Sequence, residues 1–534
     1  MKVKGWRGQV QIAKVYTASG MRLRVVMAAI FLTALVQLAQ VSREATLTVR
    51  IAGGPVRVVL EDANGVRPRV RGAVAISESA IPIPRQAIAA MWGQNDRAQG
   101  YSLQPDGSFY VDGGFDVKVP AGRYTVTVTK GNEYRRQQET FEVAAGAAVT
   151  REYRMARWVD MPGRGWYSSD DHIHLRRSPG DDHAIAQWIA AEDIHVGNLL
   201  QMGDFWMVYF AQYAFGDRGR YAEAGRILTP GQEDPRTPEI GHTISLGAND
   251  WVRSAQDYYS FDRLFDKVHE LGGVTGFAHQ GMSFHGYRGM ALNTLRGKTD
   301  FLELVQFCVP EGPLAVDHYY EFLDMGYKLT ALAGSDFPWC GQGGGDRHSQ
   351  IGNARFYTYT DGPLTFARWM AGMKAGHTFV TTGPVALLTV NGHLPGDVVD
   401  VAAGSKLQIA AEGLTEAGGA AVEIVGHGKV LARGKGKVTL ELPVDHGIWI
   451  AARVDAGGGQ VAHTTPVYVT VNGGGWRNES TYKQLLARME GYLKEVEGEL
   501  AAPGTGLDAQ ASRHKAQLER QIAEARGKLR ELAR

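Results

Sequence analysis

Two histidines one residue apart stand in Ser169-Asp170-Asp171-His172-Ile173-His174. Side chains alternate along a β-strand, so His172 and His174 leave it on the same face and can reach one ion. A His-x-His pair alone is a weak signal; its weight comes from the potential ligands downstream. Leu228-Thr229-Pro230-Gly231-Gln232-Glu233 ends a strand-like run in a turn followed by a carboxylate, and Gly241-His242 opens another run, Thr243 to Leu246. Gly276-Phe277-Ala278-His279 is an apolar strand ending in a histidine, and Leu329 to Ala333 runs into Gly334-Ser335-Asp336. Strand ends that each offer a hard or borderline ligand point to a metal centre.

Such ligands meet only if the strand ends converge. From Trp158 to about Gly376 strands alternate with helical stretches: Asp182 to Ala191 leads to His195 to Gln201, and Phe261 to Leu271 leads to Val274 to Ala278. That alternation predicts βα units and a mainly parallel sheet or barrel, whose C-terminal strand ends share one face. On either side the period changes to two. Thr46 to Arg154, with Tyr124, Val126 and Val128 before a Lys130-Gly131-Asn132 turn, predicts a small antiparallel β-sandwich over 45–157. Ala386 to Val390, Lys406 to Ala410, Val438 to Leu442 and Val467 to Val471 predict a second sandwich over 380–475. A tail over 478–534 begins at Ser480, a candidate N-cap, and spaces Leu485, Met489, Tyr492, Leu493 and Val496 at three- and four-residue intervals. Pro503-Gly504-Thr505-Gly506 breaks the pattern before Leu518, Ile522, Ala525, Leu529 and Leu532 resume it, which predicts a helical hairpin. The hairpin would either join two copies of the chain or pack on its own sandwich.

Taken together, these motifs resemble the PHP superfamily of metal-dependent hydrolases, and within it the CehA/McbA group that includes carbaryl hydrolase. The resemblance covers roughly residues 165–395. It rests on Asp-x-His-x-His, Pro-Gly-x-Glu followed by a histidine, Gly-Phe-Ala-His, Gly-Ser-Asp, and the closing Ala375-Gly376-His377-Thr378-Phe379-Val380-Thr381-Thr382-Gly383-Pro384. It implies a distorted (β/α)7 barrel over 158–379, lying between the two sandwiches. It also implies one ion on His172, His174, Glu233 and Asp336, and a second on Glu233, His242 and His279, with Glu233 as the bridge. Glu233, His279 and Asp336 would then be the catalytic residues of the centre. Imidazole with carboxylate suits Zn²⁺, Mn²⁺ or Fe²⁺, and two ions sharing a carboxylate can share a hydroxide, which would be the nucleophile. Many relatives hold a third ion. Here Pro338 stands where one of its histidines would be, and Leu200-Gln201-Met202-Gly203-Asp204 has no histidine; Asp181, Asp182 and His183 could replace only part of the set. Two divalent ions are therefore expected.

Further residues are candidates by position. Asp170 and Asp171 are close enough to the His pair to hold an imidazole by its outer nitrogen, or else to cap a turn. Asp204 could bind substrate or move a proton, or be a turn aspartate. Arg176, Arg177, Arg347 and His348 lie in loops beside ligand motifs and could hold a substrate anion, although loop residues are commonly just solvated. His377 lies within the closing motif.

The rest of the chain bounds the function. Lys+Arg 57 against Asp+Glu 56, without a long basic stripe, argues against nucleic acid as a partner. Cys308 and Cys340 could form one bridge at most, not a disulfide framework. Arg22 and Arg24 precede a 15-residue apolar run, Val25 to Ala39, short of the ~20 residues needed to span a bilayer. Residues 1–40 therefore read as an export signal cleaved near Ala39, leaving no membrane span in a periplasmic or secreted protein. The expected activity is hydrolysis of a carbamate, ester or amide in a small-molecule substrate. A phosphoesterase and a non-catalytic binder of a surface glycan are the alternatives, and a purely structural β-protein would leave the converging ligands unexplained.

Overall fold

Alternation of buried and more exposed side chains builds six of the first seven strands, the short β3 being buried throughout: β1 (Ala45–Ala52), β2 (Val56–Asp62), β3 (Phe109–Val111), β4 (Gly114–Val119), β5 (Gly122–Thr129), β6 (Gln137–Val143) and β7 (Ala148–Arg154). They form two sheets, ordered β4-β1-β7 and β3-β2-β5-β6, packed over Leu47, Val49, Val58, Val126 and Val128. The sandwich is mixed where an antiparallel one was expected. After the β5–β6 hairpin the chain crosses to the other sheet, and β7 lies parallel to β1. The computed structural model describes residues 44–77, 104, 106–279, 283–306, 313–338, 349–501 and 512–534. The expected export signal and both cysteines lie outside the described residues. No helix among the described residues is long and apolar enough to cross a membrane.

The central region is mixed α/β and built on a curled sheet. Its strands are β8 (Trp166–Ile173), β9 (Val196–Gly203), the short β10 (Val208–Tyr209) and β11 (Tyr221–Glu223), β12 (Arg226–Thr237), β13 (Gly241–Leu246), β14 (Val274–Phe277), β15 (Phe301–Val305), β16 (Thr330–Ala333), β17 (Arg355–Tyr359) and β18 (Thr378–Thr381). β8, β9 and β12 are parallel, as are β14, β15 and β16, whereas β13 runs antiparallel between β12 and β14. β17 is antiparallel to both β8 and β18. The curl brings the end of β16 to the end of β8, where the N–H of His174 donates to the carbonyl of Phe337 at 2.6 Å. Helices α1 (Asp182–Ala191), α2 (Phe261–Glu270), α3 (Gly286–Asn293), α4 (Asp317–Asp324) and α5 (Phe366–Ala375) connect the strands.

The first sandwich is bolted to this sheet by charge. Arg157 lies 2.5 Å from Glu133, in the loop after β5, and 3.0 Å from the buried Asp193, which Arg226 also meets at 3.0 Å. Burial and then the charge of Asp193 push the Glu133 carboxyl up from 4.5 to about 7, against the opposing pull of Arg157. An acid whose folded pKa is raised stabilises the fold below its unfolded pKa, and that contribution is lost as pH rises through the folded value. Between pH 5 and 8 the wild type should therefore lose stability, on the order of 3 kcal/mol at most, relative to Glu133→Gln, which stays neutral throughout. Urea unfolding of both proteins at the two pH values measures the difference; parallel pH profiles would contradict it.

Beyond β18, nine strands from Val385–Val390 to Val467–Val471 form the C-terminal β-structure. It is hydrogen-bonded to the central sheet, since Phe379, Val380 and Thr381 pair with Thr464, His463 and Ala462. Its core takes in Trp166, Tyr357 and Phe379 from that sheet. The tail forms α6 (Tyr482–Ala501) and α7 (Lys515–Leu532). The turn before α6 starts at Asn478, whose carbonyl accepts from the N–H of Tyr482, while the Ser480 hydroxyl donates to the Asn478 side chain instead of capping the helix. The apolar stripe of the hairpin packs on the central region: Met489, Leu493, Val496, Leu518, Ile522 and Ala525 share one core with Phe265, Met290 and Leu295. Arg288 pairs with Glu495 and Glu499, and Arg296 and Arg520 converge on Asp262, which holds the hairpin in register.

Candidate metal centre

At the closing end of the curled sheet six side chains from distant parts of the chain meet. His172 and His174 project from the end of β8, and their Nε2 atoms are 3.1 Å apart. Glu233 comes from within the long β12, which carries Pro230 and Gly231 without the turn expected there. His242 stands at the start of β13; because that strand is antiparallel, its start lies at the same end of the sheet. His279 and Asp336 follow β14 and β16, both in the left-handed backbone region (φ 55° and 54°) that non-glycine residues seldom adopt. The chain can draw so tight around Asp336 because residue 334 is glycine: a Cβ there would collide with Asp171 and with His172, including its backbone nitrogen at 2.7 Å.

Proton placement decides what the site can hold. His172 turns Nδ1 to the carboxylate of Glu303, 3.1 Å away, and His174 turns Nδ1 to the carbonyl of Leu200 at 3.3 Å. When each ring is neutral with Nδ1 donating, as an ion would require, both Nε2 atoms are lone pairs. They face Asp336 Oδ1 at 3.4 and 3.2 Å and Glu233 Oε2 at 3.8 and 3.3 Å. Nε2 of His172 and His174 and Oδ1 of Asp336 thus surround one point, with Glu233 Oε2 beside them. The separations among the first three, 3.1–3.4 Å, match the ~3.3 Å edges of a tetrahedron with bonds of ~2.0–2.1 Å, the geometry of a divalent ion on imidazole and carboxylate. On the other side, His242 Nδ1 accepts from Arg236 Nε at 3.4 Å and lies 2.9 Å from Glu233 Oε1, a buried oxygen left without a hydrogen-bond donor. His279 Nε2 is 3.9 Å from that oxygen and 3.5 Å from Asp336 Oδ2. Both carboxylates therefore straddle the two halves, Asp336 as well as Glu233. The residues present fit a metal group, and the sets His172/Glu233/His279, all buried, and His172/His174/Asp336, with Asp336 half-buried, could each hold an ion.

Electrostatics points the same way. Burial opposes charging His172, but the carboxylates of Asp336 and Glu303 outweigh it and hold the imidazole well above its ordinary value. A site that attracts a proton so strongly has a surplus of negative charge, which a cation would also satisfy. Burial and then Arg236 push His242 down to about 3, so it stays neutral and ready as a ligand.

Two groups here went unnoticed in the sequence. Glu303, fully buried on β15, accepts from the N–H of His279 at 2.5 Å while its other oxygen meets His172. Its one signal is a lone carboxylate in the apolar run Phe301-Leu302-Glu303-Leu304-Val305. Arg236 reaches Glu233 Oε2 with Nε at 3.1 Å. Rings line the approach, Phe210 stacked on His174 at 5.3 Å and Phe284 on His242 at 4.0 Å between centroids.

The other candidates are placed elsewhere. Asp170 does not hold an imidazole; its oxygens accept backbone N–H bonds from His172, Ser335 and Gly352 and so tie three segments of the site together. Asp171 is buried against Gly334 with neither oxygen hydrogen-bonded, its carboxyl pushed well up by burial and then by Glu303. Asp204 closes its own turn through the N–H groups of Trp206 and Met207 and accepts from the Tyr209 hydroxyl. Arg176 is exposed, and Arg177 is engaged by Asp182 and Tyr213. Asp181 is bonded to Ser77 and Ser178, and His183 pairs with Glu223. His377 lies at the opposite end of the sheet, where it meets Asp397 at 3.0 Å; Thr378 is level with Tyr167, roughly 16 Å of strand from His172. Arg347 and His348 lie outside the described residues. No protein-family model matches the chain, and no curated protein sequence matches it.

Proposed function

We propose that this protein is an exported metal-dependent hydrolase of the PHP superfamily, resembling its CehA/McbA group, with two divalent ions (Zn, Mn or Fe) at the centre. The observation that carries this reading is the buried cluster of His172, His174, Glu233 and Asp336 at the end of the sheet, continued on its far side by His242 and His279. Seven strands of the curled sheet running in one direction support a distorted (β/α)7 barrel as its frame. When bound, the ions would supply a Lewis acid and a water of lowered pKa. His172, His174, Glu233 and Asp336 would hold one, and His242 and His279 with the far oxygens of Glu233 and Asp336 the other. Glu303 fixes the tautomer of His172 and the turn of His279, which keeps Nε2 of the former free to ligate. Phe210 and Phe284 shield two of the imidazoles from water. The substrate bond proposed is a carbamate, ester or amide.

Mass-spectrometric metal content of the purified protein, beside a hydrolysis screen of carbamates, aryl esters, amides and phosphate esters, tests the reading. About two ions per chain with metal-dependent turnover is the expected result. Absence of metal under replete conditions would end it, and metal without turnover on any class would favour a binding protein.

A further inference from the structure

Arg236 is bound at one end only. Glu233 and Arg236 are three apart, which on a regular strand would place them on opposite faces. The register of β12 against β13 slips between them, and the extra residue returns Arg236 to the face of Glu233, directly opposite His242. Its Nε is fixed by Glu233 at 3.1 Å and by His242 at 3.4 Å. Its terminal nitrogens have no partner among the described residues. The guanidinium also sits where the centre opens. Its side chain is 21% exposed, Asp336 is 14%, and the remaining metal-binding candidates are 7% or less. Phe284, stacked on His242 beside it, is 46% exposed.

We infer that Arg236 is the substrate's oxyanion receptor: the substrate carries a carboxylate or phosphate group beside the scissile bond, and the free fork of Arg236 holds it bidentately. The chemistry follows from the fork, since two parallel N–H groups match two oxygens of one anion, and a cation at the edge of a buried centre recruits negative charge. The inference rests on the hydrolase reading and narrows it to anionic substrates.

Isothermal titration with inorganic phosphate tests it, on metal-loaded and metal-free wild type, Arg236→Gln and Arg236→Lys, with metal content measured on the same samples. Arg236→Gln should weaken phosphate by about tenfold or more with its metal unchanged. Arg236→Lys should recover only part, because an ammonium is a point charge without the fork. Equal phosphate affinity in wild type and Arg236→Gln would overturn the inference, as would loss of metal together with phosphate, which would reduce Arg236 to a support for Glu233. If the wild type takes no metal, the hydrolase reading fails, and the metal-free titrations still decide the role of Arg236. Acetate run in parallel separates the sources: a preference for phosphate that depends on Arg236 assigns phosphoryl substrates, and equal binding assigns carboxylates.

Discussion

Glu233→Ala should empty both halves of the centre, whereas His242→Ala should empty one. The difference follows from geometry. Oε2 of Glu233 faces His172 and His174, Oε1 faces His242 and His279, and both oxygens are buried. Removing the carboxylate takes a donor from each ion and leaves Arg236 without its anchor, adding positive charge where two cations would sit. Any turnover should fall by more than the ~10–100-fold that loss of an outer partner brings. Metal content of the two variants after dialysis is the measurement. One ion retained in Glu233→Ala would show that Asp336, not Glu233, carries the shared role.

The second large effect is expected at Glu303, and its signature is two changes of opposite sign. Glu303→Gln keeps the shape but removes the charge that fixes His172 and helps to draw a cation in, so affinity for the ion beside His172 should drop by about 10–100-fold. The metal-free protein should instead become more stable. Without an ion, burial and then the Glu303 charge hold the Asp171 carboxyl well up, so that keeping its proton at neutral pH costs stability, and the amide relieves the part due to charge. Chelator competition gives the affinity and thermal unfolding of the metal-free form gives the stability. If both fall together, Glu303 is a packing residue and its charge has no part in metal binding.

How far the centre could be foreseen depends on which rule placed each residue. His172 and His174 follow from strand alternation alone, and His279 and Asp336 from their places just past apolar runs. Glu233 was legible as a residue but not as a position, because β12 continues through Pro230-Gly231 where a turn was expected. His242 needed a strand reversal that local periodicity does not encode. Arg236 faces the site only because of a register slip, and Glu303 acts on a histidine 131 residues away. Asp204 and His377 are of the right residue types, but one satisfies its own turn and the other joins Asp397 at the far end of the sheet. The hairpin's apolar stripe was plain; that it packs on the central region instead of its own sandwich was not, since a stripe carries no address.

That packing has a consequence for how the protein is made. The chain is synthesised from its N-terminus, and the last ligand, Asp336, leaves the ribosome 196 residues before Leu532, the final residue of α7. At ~5–20 residues per second this is a delay of roughly 10–40 s. Throughout it Phe265, Met290 and Leu295 lack the partners on α6 and α7 that complete their core. The centre is thus assembled on a scaffold whose closing helices emerge well after its ligands, so a nascent chain should acquire its rigid geometry only once α7 has been made.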